Sequence, residues 1–273
     1  MQTRAALFRS AGQPLVIETL ELEPPGPGEI TERMKAVGLC RSDYNVIAGL
    51  RPVGMTPMVL GHEGAGLVEA VGTGVDDLAP GDAVVLTFIT ACGQCRYCQS
   101  GHGHACVLTR RIASGTLPDG STRLRAADGT AVGQFCMIGA FSERVVVDRR
   151  TAIRVDPALP LRSVCLTGCG VAGGYFAATH RVAVAAGSPA LVVGAGGVGM
   201  NVVQGLRHAR AKPIIVADRS ADRRVEAVRF GATHAVSTED SDWVEQVRAI
   251  SGVDGVDAAF VAVAAEGLIE QAA

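Results

Sequence analysis

Four cysteines, Cys92, Cys95, Cys98 and Cys106, fall within fifteen residues at gaps of two, two and seven. Two-residue gaps let successive thiolates turn back toward one point, and four thiolates around Zn²⁺ make a closed tetrahedral site of structural type. An iron–sulfur cluster uses the same ligands, and buried free cysteines are the non-metal alternative. Free core cysteines do not usually gather four together in a polar loop, so the spacing predicts a metal. Cys40, His62 and Cys169 carry ligand-type side chains as well, each in a glycine-marked turn: Gly38-Leu39-Cys40, Gly61-His62-Glu63-Gly64 and Gly168-Cys169-Gly170. Spacing alone does not assemble these three. Taken singly, each reads equally as a core cysteine or a capping histidine.

A third pattern suits a nucleotide. Gly194-Ala195-Gly196-Gly197-Val198-Gly199 follows an apolar run at 190–193 and opens a helical pattern. Backbone amides of Gly194, Gly196, Gly197, Val198 and Gly199, with the helix N-terminus, then point at a pyrophosphate. A lone GxGxxG is weak evidence, but strand, loop and helix in this order strengthen it. Asp218 closes the next apolar run nineteen residues after Gly199, where a carboxylate accepts from adenosine ribose hydroxyls and repels a 2′-phosphate. That favours NAD over NADP. Arg219 beside it is the opposing signal, since a guanidinium could receive that phosphate or pack over the adenine.

The elements that must position these groups follow from texture. Up to about residue 150, short valine-rich runs such as 66–71, 83–88 and 141–147 alternate with Gly, Pro and Asp clusters, which predicts a compact β-rich domain. Residues 91–132 interrupt it with a polar, cysteine-dense lobe that has no apolar periodicity and needs a staple. From about Pro160, buried-strand and helical runs alternate as in βαβ units on a parallel sheet. Strands are expected at 190–193, 214–217, 235–237 and 258–263, with helices at 198–209, 221–230 and 242–251. A dinucleotide-binding sheet has six strands and only about four fit before residue 273, so roughly 60 residues of such a domain are expected to be missing.

Composition narrows the function classes. A hydrophobic content of 48% with 19% charged residues excludes a disordered chain, and 34 glycines without a three-residue period exclude collagen. The formal charge of -2 and the lack of a basic stripe argue against nucleic acid and anionic membranes as partners. Residues 182–206 are uncharged, but Gly187, Pro189 and later glycines break them into turn and strand, so no membrane segment is expected. The start, MQTRAALFRS, lacks the apolar core of an export signal, which predicts a reducing, cytoplasmic setting for the eight cysteines.

With these motifs in order, the sequence resembles the zinc-dependent medium-chain alcohol dehydrogenases over its whole length. The resemblance rests on GLCRSD at 38–43, GHEGAG at 61–66, the cysteine lobe, LTGCG at 166–170 and GAGGVG at 194–199. Within that family it looks most like the long-lobe bacterial alcohol dehydrogenases assayed with nitrosoaniline acceptors, through GTLPDGSTR and FCMIGAFSERVVV. The resemblance implies an α/β chain. A β-rich GroES-like catalytic domain would cover 1–158, with a structural zinc lobe at about 91–132. An incomplete Rossmann NAD-binding domain would cover 159–273.

It also implies two Zn²⁺ per chain and disfavours the iron–sulfur cluster. The catalytic zinc would be held by Cys40, His62 and Cys169 with a fourth position open, and the structural zinc by the lobe. Two thiolates and a neutral imidazole balance the ion's charge and leave it a Lewis acid. Asp43 would orient His62, Glu63 would approach the metal during ligand exchange, Ser42 would take the alcohol proton and Arg41 would contact the cofactor pyrophosphate. Phe88, Phe135 and Cys136 match substrate-lining positions. Asn45 replaces a histidine that often ends the proton relay, and Gly173 and Phe176 depart from the family's residues beside the nicotinamide. The expected activity is oxidation of a small-molecule alcohol by NAD to an aldehyde or ketone, in a homo-oligomer when full-length. A formaldehyde-adduct dehydrogenase, or a non-catalytic zinc-binding fragment, are the other readings of the same motifs.

Overall fold

The computed structural model describes every residue except Val253, Glu266 and Ala273, the last being the end point of the expected second domain. The chain divides into two compact units, Met1–Cys169 and Gly170–Ala273.

The first unit is built on two sheets. β1 (Gln2–Phe8), β2 (Val16–Leu22), β7 (Leu124–Arg125), β8 (Ala131–Gln134) and β4 (Met58–Val59) close into a barrel. A five-stranded sheet runs β10 (Ala152–Arg154), β6 (Ala83–Leu86), β5 (Glu63–Val71), β3 (Glu29–Gly38) and β9 (Arg144–Asp148). Alternation sends Leu7, Leu20, Leu22, Val59 and Leu124 into the barrel core. Ile30, Val68, Val84, Leu86, Val145 and Val147 fill the core of the sheet.

The run expected at 83–88 is a strand only to Leu86, and two other expectations shift for identifiable reasons. The run at 141–147 becomes a strand only from Arg144, because the Phe141 carbonyl accepts from Ala6 and Ser142 bridges Ala5, tying both residues to β1. The expected lobe at 91–132 also gives up its end: Leu124 and Val132 are buried in the barrel, and β7 pairs with both β2 and β8.

The second unit carries a parallel sheet in the order β13 (His234–Val236), β12 (Ile214–Ala217), β11 (Ala190–Val193), β14 (Ala258–Val261). Its central strands are apolar on both faces, as strands covered by helices on each side must be. Val192, Ile214 and Val216 pack with α5 (Gly197–His208) on one side, whereas Leu191, Val193, Ile215 and Ala217 meet Trp243 and Val247 of α7 (Trp243–Ser251) on the other. The uncharged 182–206 stretch supplies a turn, β11 and much of α5. Among the described residues no helix is long and apolar enough to cross a membrane.

Candidate functional site

The lobe cysteines converge. Cys95 caps the short α2 (Arg96–Gln99) and Cys106 lies between two 3₁₀ turns, which aims the four sulfurs at one point. The Cys92–Cys98, Cys95–Cys98 and Cys95–Cys106 sulfurs are 3.9, 3.5 and 3.9 Å apart. With Zn–S bonds of about 2.3 Å, the edge of a ZnS₄ tetrahedron is about 3.8 Å. The donor set therefore fits zinc in number, type and spacing. Backbone amides prepare the thiolates: Cys92 N donates to Cys106 Sγ and Cys95 N to Cys92 Sγ, each at 3.3 Å. Amides of Cys98 and Val107 pull the Cys95 thiol down to about 6. Arg150, clamped by Asp148, donates to the Cys92 carbonyl at 3.3 Å and brings a positive charge toward the thiolates.

The second set is assembled by three separate segments. Cys40 caps α1 (Arg41–Ile47), His62 precedes β5, and Cys169 follows the turn after α3 (Leu161–Val164). Ligand atoms of Cys40, His62, Glu63 and Cys169 all lie within 4.8 Å of one another. Gly168 makes this possible, since a Cβ there would collide with the Leu86 carbonyl at the end of β6.

Buried Asp43 organises the set. Its Oδ2 accepts from Cys40 N at 3.3 Å, and its Oδ1 from Gly61 N at 2.9 Å and His62 Nδ1 at 3.2 Å. With Nδ1 donating to Asp43, Nε2 is the nitrogen left for a metal. Phe88 and Phe135 hold the imidazole edge-on from two sides, at 5.7 and 5.8 Å between centroids.

The hydrogen bond from Cys169 pulls the Cys40 thiol down to about 3 against the effect of burial, and Cys169 is correspondingly pushed up. Burial opposes a charged imidazole, yet the bonds to Asp43 and Cys40 hold His62 up at about 9. Without metal the set is therefore a thiolate–imidazolium pair, a donor set that a divalent cation can take over by displacing protons. Asp43→Asn keeps the shape but turns an NH₂ group toward one of the three donors. It is expected to weaken zinc binding about 10–100-fold. Competition with a chromogenic chelator measures this, and unchanged affinity would refute the role of Asp43.

The remaining residues of this unit divide clearly. Ser42 is half-buried on α1 beside Asp43, and Asn45 lies one turn further on. Arg41 is exposed and stacks on Tyr44, with Cζ 4.7 Å from the ring centroid. Cys136 is buried next to Phe135, and burial pushes its thiol up.

In the second unit, Gly196 caps α5 and Gly194 adopts a φ of +94°, so the loop from Gly194 to Gly199 leads into a helix N-terminus. A Cβ on Gly199 would collide with the Gly194 carbonyl, which accounts for that glycine. Asp218 is buried. Its Oδ2 accepts from Ala195 N at 2.7 Å and its Oδ1 from Ser220 N at 2.8 Å, so the carboxylate braces the glycine loop, a role the sequence did not reveal. Arg219 is exposed, Phe176 is half-exposed at the end of α4 (Gly170–Phe176), and Gly173 is open on the same helix.

Two family models match the chain: an alcohol dehydrogenase GroES-like domain over residues 26–157 and a zinc-binding dehydrogenase over 197–273. A putative alcohol dehydrogenase D of Mycobacterium tuberculosis is 41% identical over 263 residues, covering 96% of this chain and 71% of that one. The chain belongs to the zinc-binding alcohol dehydrogenases. Within them it is also similar to the NDMA-dependent alcohol dehydrogenase of Amycolatopsis methanolica, 45% identical over 88% of this chain. It spans 64% of that relative's length. A solved alcohol dehydrogenase zinc-binding domain protein from Burkholderia ambifaria matches all of this chain and 73% of its own, with a TM-score of 0.94 and 38% identity. The medium-chain GroES-like and Rossmann-like α/β architecture is common to these zinc-binding alcohol dehydrogenases and to this chain.

Two further features were not expected from the sequence. Glu32 is fully buried in β3, although strand alternation from Ile30 could have flagged it. Arg51 reaches the face of Phe135, for which the sequence held no signal.

Proposed function

We propose that this chain carries the catalytic machinery of an NAD-dependent zinc alcohol dehydrogenase that oxidises a small-molecule alcohol to an aldehyde or ketone. The observation that carries the reading is the convergence of Cys40, His62 and Cys169 from distant segments, with Asp43 fixing the His62 tautomer. Bound there, zinc would supply Lewis acidity that eases loss of the alcohol's proton, and the nicotinamide cofactor would accept the hydride. Ser42 would take that proton while passing its own hydroxyl proton on to water or a cofactor hydroxyl. Glu63 would approach a metal held there during ligand exchange, Arg41 would contact the cofactor pyrophosphate, and the glycine loop with Asp218 and Arg219 would receive its adenosine half. Asp218 supports NAD over NADP. The lobe holds a second, structural zinc, and the working enzyme is a homo-oligomer in the cytoplasm.

Metal analysis and nucleotide extraction on the purified protein test this reading. Two zinc per chain with NAD(H) are expected. One zinc and no affinity for NAD would overturn it.

Asn45 adds a kinetic expectation, because an amide cannot act as a base and the proton must leave through water or cofactor hydroxyls. Turnover is therefore slow at low pH. Asn45→His is expected to raise it there by up to about 10²-fold, the lower range for a positioned proton acceptor. A pH–rate profile identical to that of the parent would remove Asn45 from the account.

A further inference from the structure

We propose that Arg51 makes this site select alcohols bearing a carboxylate or similar anionic group at the end remote from the hydroxyl. The inference rests on the reading of Cys40, His62 and Cys169 as the alcohol-binding centre and names the substrate class of that centre.

Arg51 follows α1, where the amides of Leu50 and Arg51 both donate to the Asn45 carbonyl, at 2.8 and 3.0 Å, and fold the chain back. Its guanidinium carbon lies 5.7 Å from the centroid of Phe135. The same ring meets His62 edge-on at 5.8 Å. One aromatic ring is therefore in contact with both a cation and a candidate metal ligand.

The state of that cation is informative. Arg51 is half-buried, yet among the described residues its guanidinium has no carboxylate within 4.0 Å and no hydrogen-bond acceptor. Arg123, Arg144, Arg149 and Arg150 of the same unit are each locked to an acidic side chain. Ring contact alone leaves the planar fork of five N–H donors open, and partial burial makes an incoming opposite charge worth more than it would be in water. The surroundings are apolar: Phe88, Phe135, Val53, Met55 and Ile112 belong to one cluster. A ligand that places its hydroxyl near His62, an apolar body against the half-buried Phe88, Val53 and Met55 and a carboxylate on Arg51 matches all three. A guanidinium grips a carboxylate through two parallel bonds, which Lys would not reproduce.

Benzyl alcohol and 4-(hydroxymethyl)benzoate share ring and hydroxymethyl group and differ in the charge. On the zinc-loaded protein their kcat/KM values and calorimetric Kd values are compared, together with those of Arg51→Met, whose zinc content certifies the fold. The carboxylate is expected to be preferred about tenfold or more by the parent and lost to near parity in Arg51→Met. Salt should erode the preference in the parent alone. Equal treatment of the two alcohols by the parent, or a preference that survives in Arg51→Met, overturns the inference while leaving the dehydrogenase reading intact. Absence of zinc-dependent binding of either alcohol overturns both.

Discussion

Cys106→Ser is expected to halve the zinc content and to loosen the lobe, a loss of more than about 4 kcal/mol of local stability. Cys106 is the buried member of the four, accepting amides of Cys92 and Leu108 at 3.3 and 3.5 Å. Around it the lobe has little else: α2 spans four residues, and Leu117 is the large apolar side chain buried there. In small zinc modules the metal contributes about 10–16 kcal/mol of binding free energy that is also folding free energy. Removing one of four thiolates should therefore free the metal and expose the loop to proteases. Cys40→Ser is the control, since it should lose the other zinc while the barrel and sheet cores keep the melting temperature close to that of the parent. Atomic absorption with limited proteolysis distinguishes the two. A Cys106→Ser protein with full metal content and an uncut lobe would show that the four sulfurs do not hold a structural ion.

Glu32→Leu is expected to stabilise the protein at pH 7 by about 1–3 kcal/mol, the usual cost of a buried polar group without a partner. Glu32 pairs with Val68 on one side and Val145 on the other, and shares its face with Ile30 and Val147. Both carboxyl oxygens are buried without a hydrogen-bond partner, beside Gly66, whose missing Cβ leaves room for one of them. Burial pushes the carboxyl well above its ordinary 4.5, and among the described residues no charged group offsets the shift.

The sign follows from the folded chain holding a proton that the unfolded chain releases. Below about pH 4.5 both states are protonated and stability at this position is at its maximum. As the pH rises the unfolded state gains about 1.4 kcal/mol per unit, until the folded group itself ionises. Glu32→Gln isolates the charge, and leucine also removes the unpartnered oxygens. Denaturant melts of parent and Glu32→Gln at pH 5 and pH 7.5 should diverge, with the parent losing ground at the higher value. Parallel curves would mean that Glu32 finds a partner or water.

The strands at 190–193 and 214–217 and the helix at 221–230 form over the residues expected from the sequence, because a dry parallel strand and an amphipathic helix write their periods locally. The lobe cysteines were legible for the same reason. Fifteen residues of chain can close only a few ways around one point, so spacing is almost geometry. His62 and Cys169 are more than a hundred residues apart, and their motifs could be recognised by resemblance but not assembled by physics from the sequence.

What brings that set together is tertiary. Gly38 at the end of β3 pairs with Glu63 at the start of β5, which brings the turn holding Cys40 to His62, and Gly168 lets the next turn close onto β6. Tertiary structure alone also decided that Asp218 braces the glycine loop, that Arg51 faces the ring beside His62, and that Glu32, whose burial the strand period could have signalled, is left without a partner. A side chain's type and local period are properties of a few neighbouring residues, whereas its partner, its burial and its charge state depend on which distant backbone the sheets place beside it.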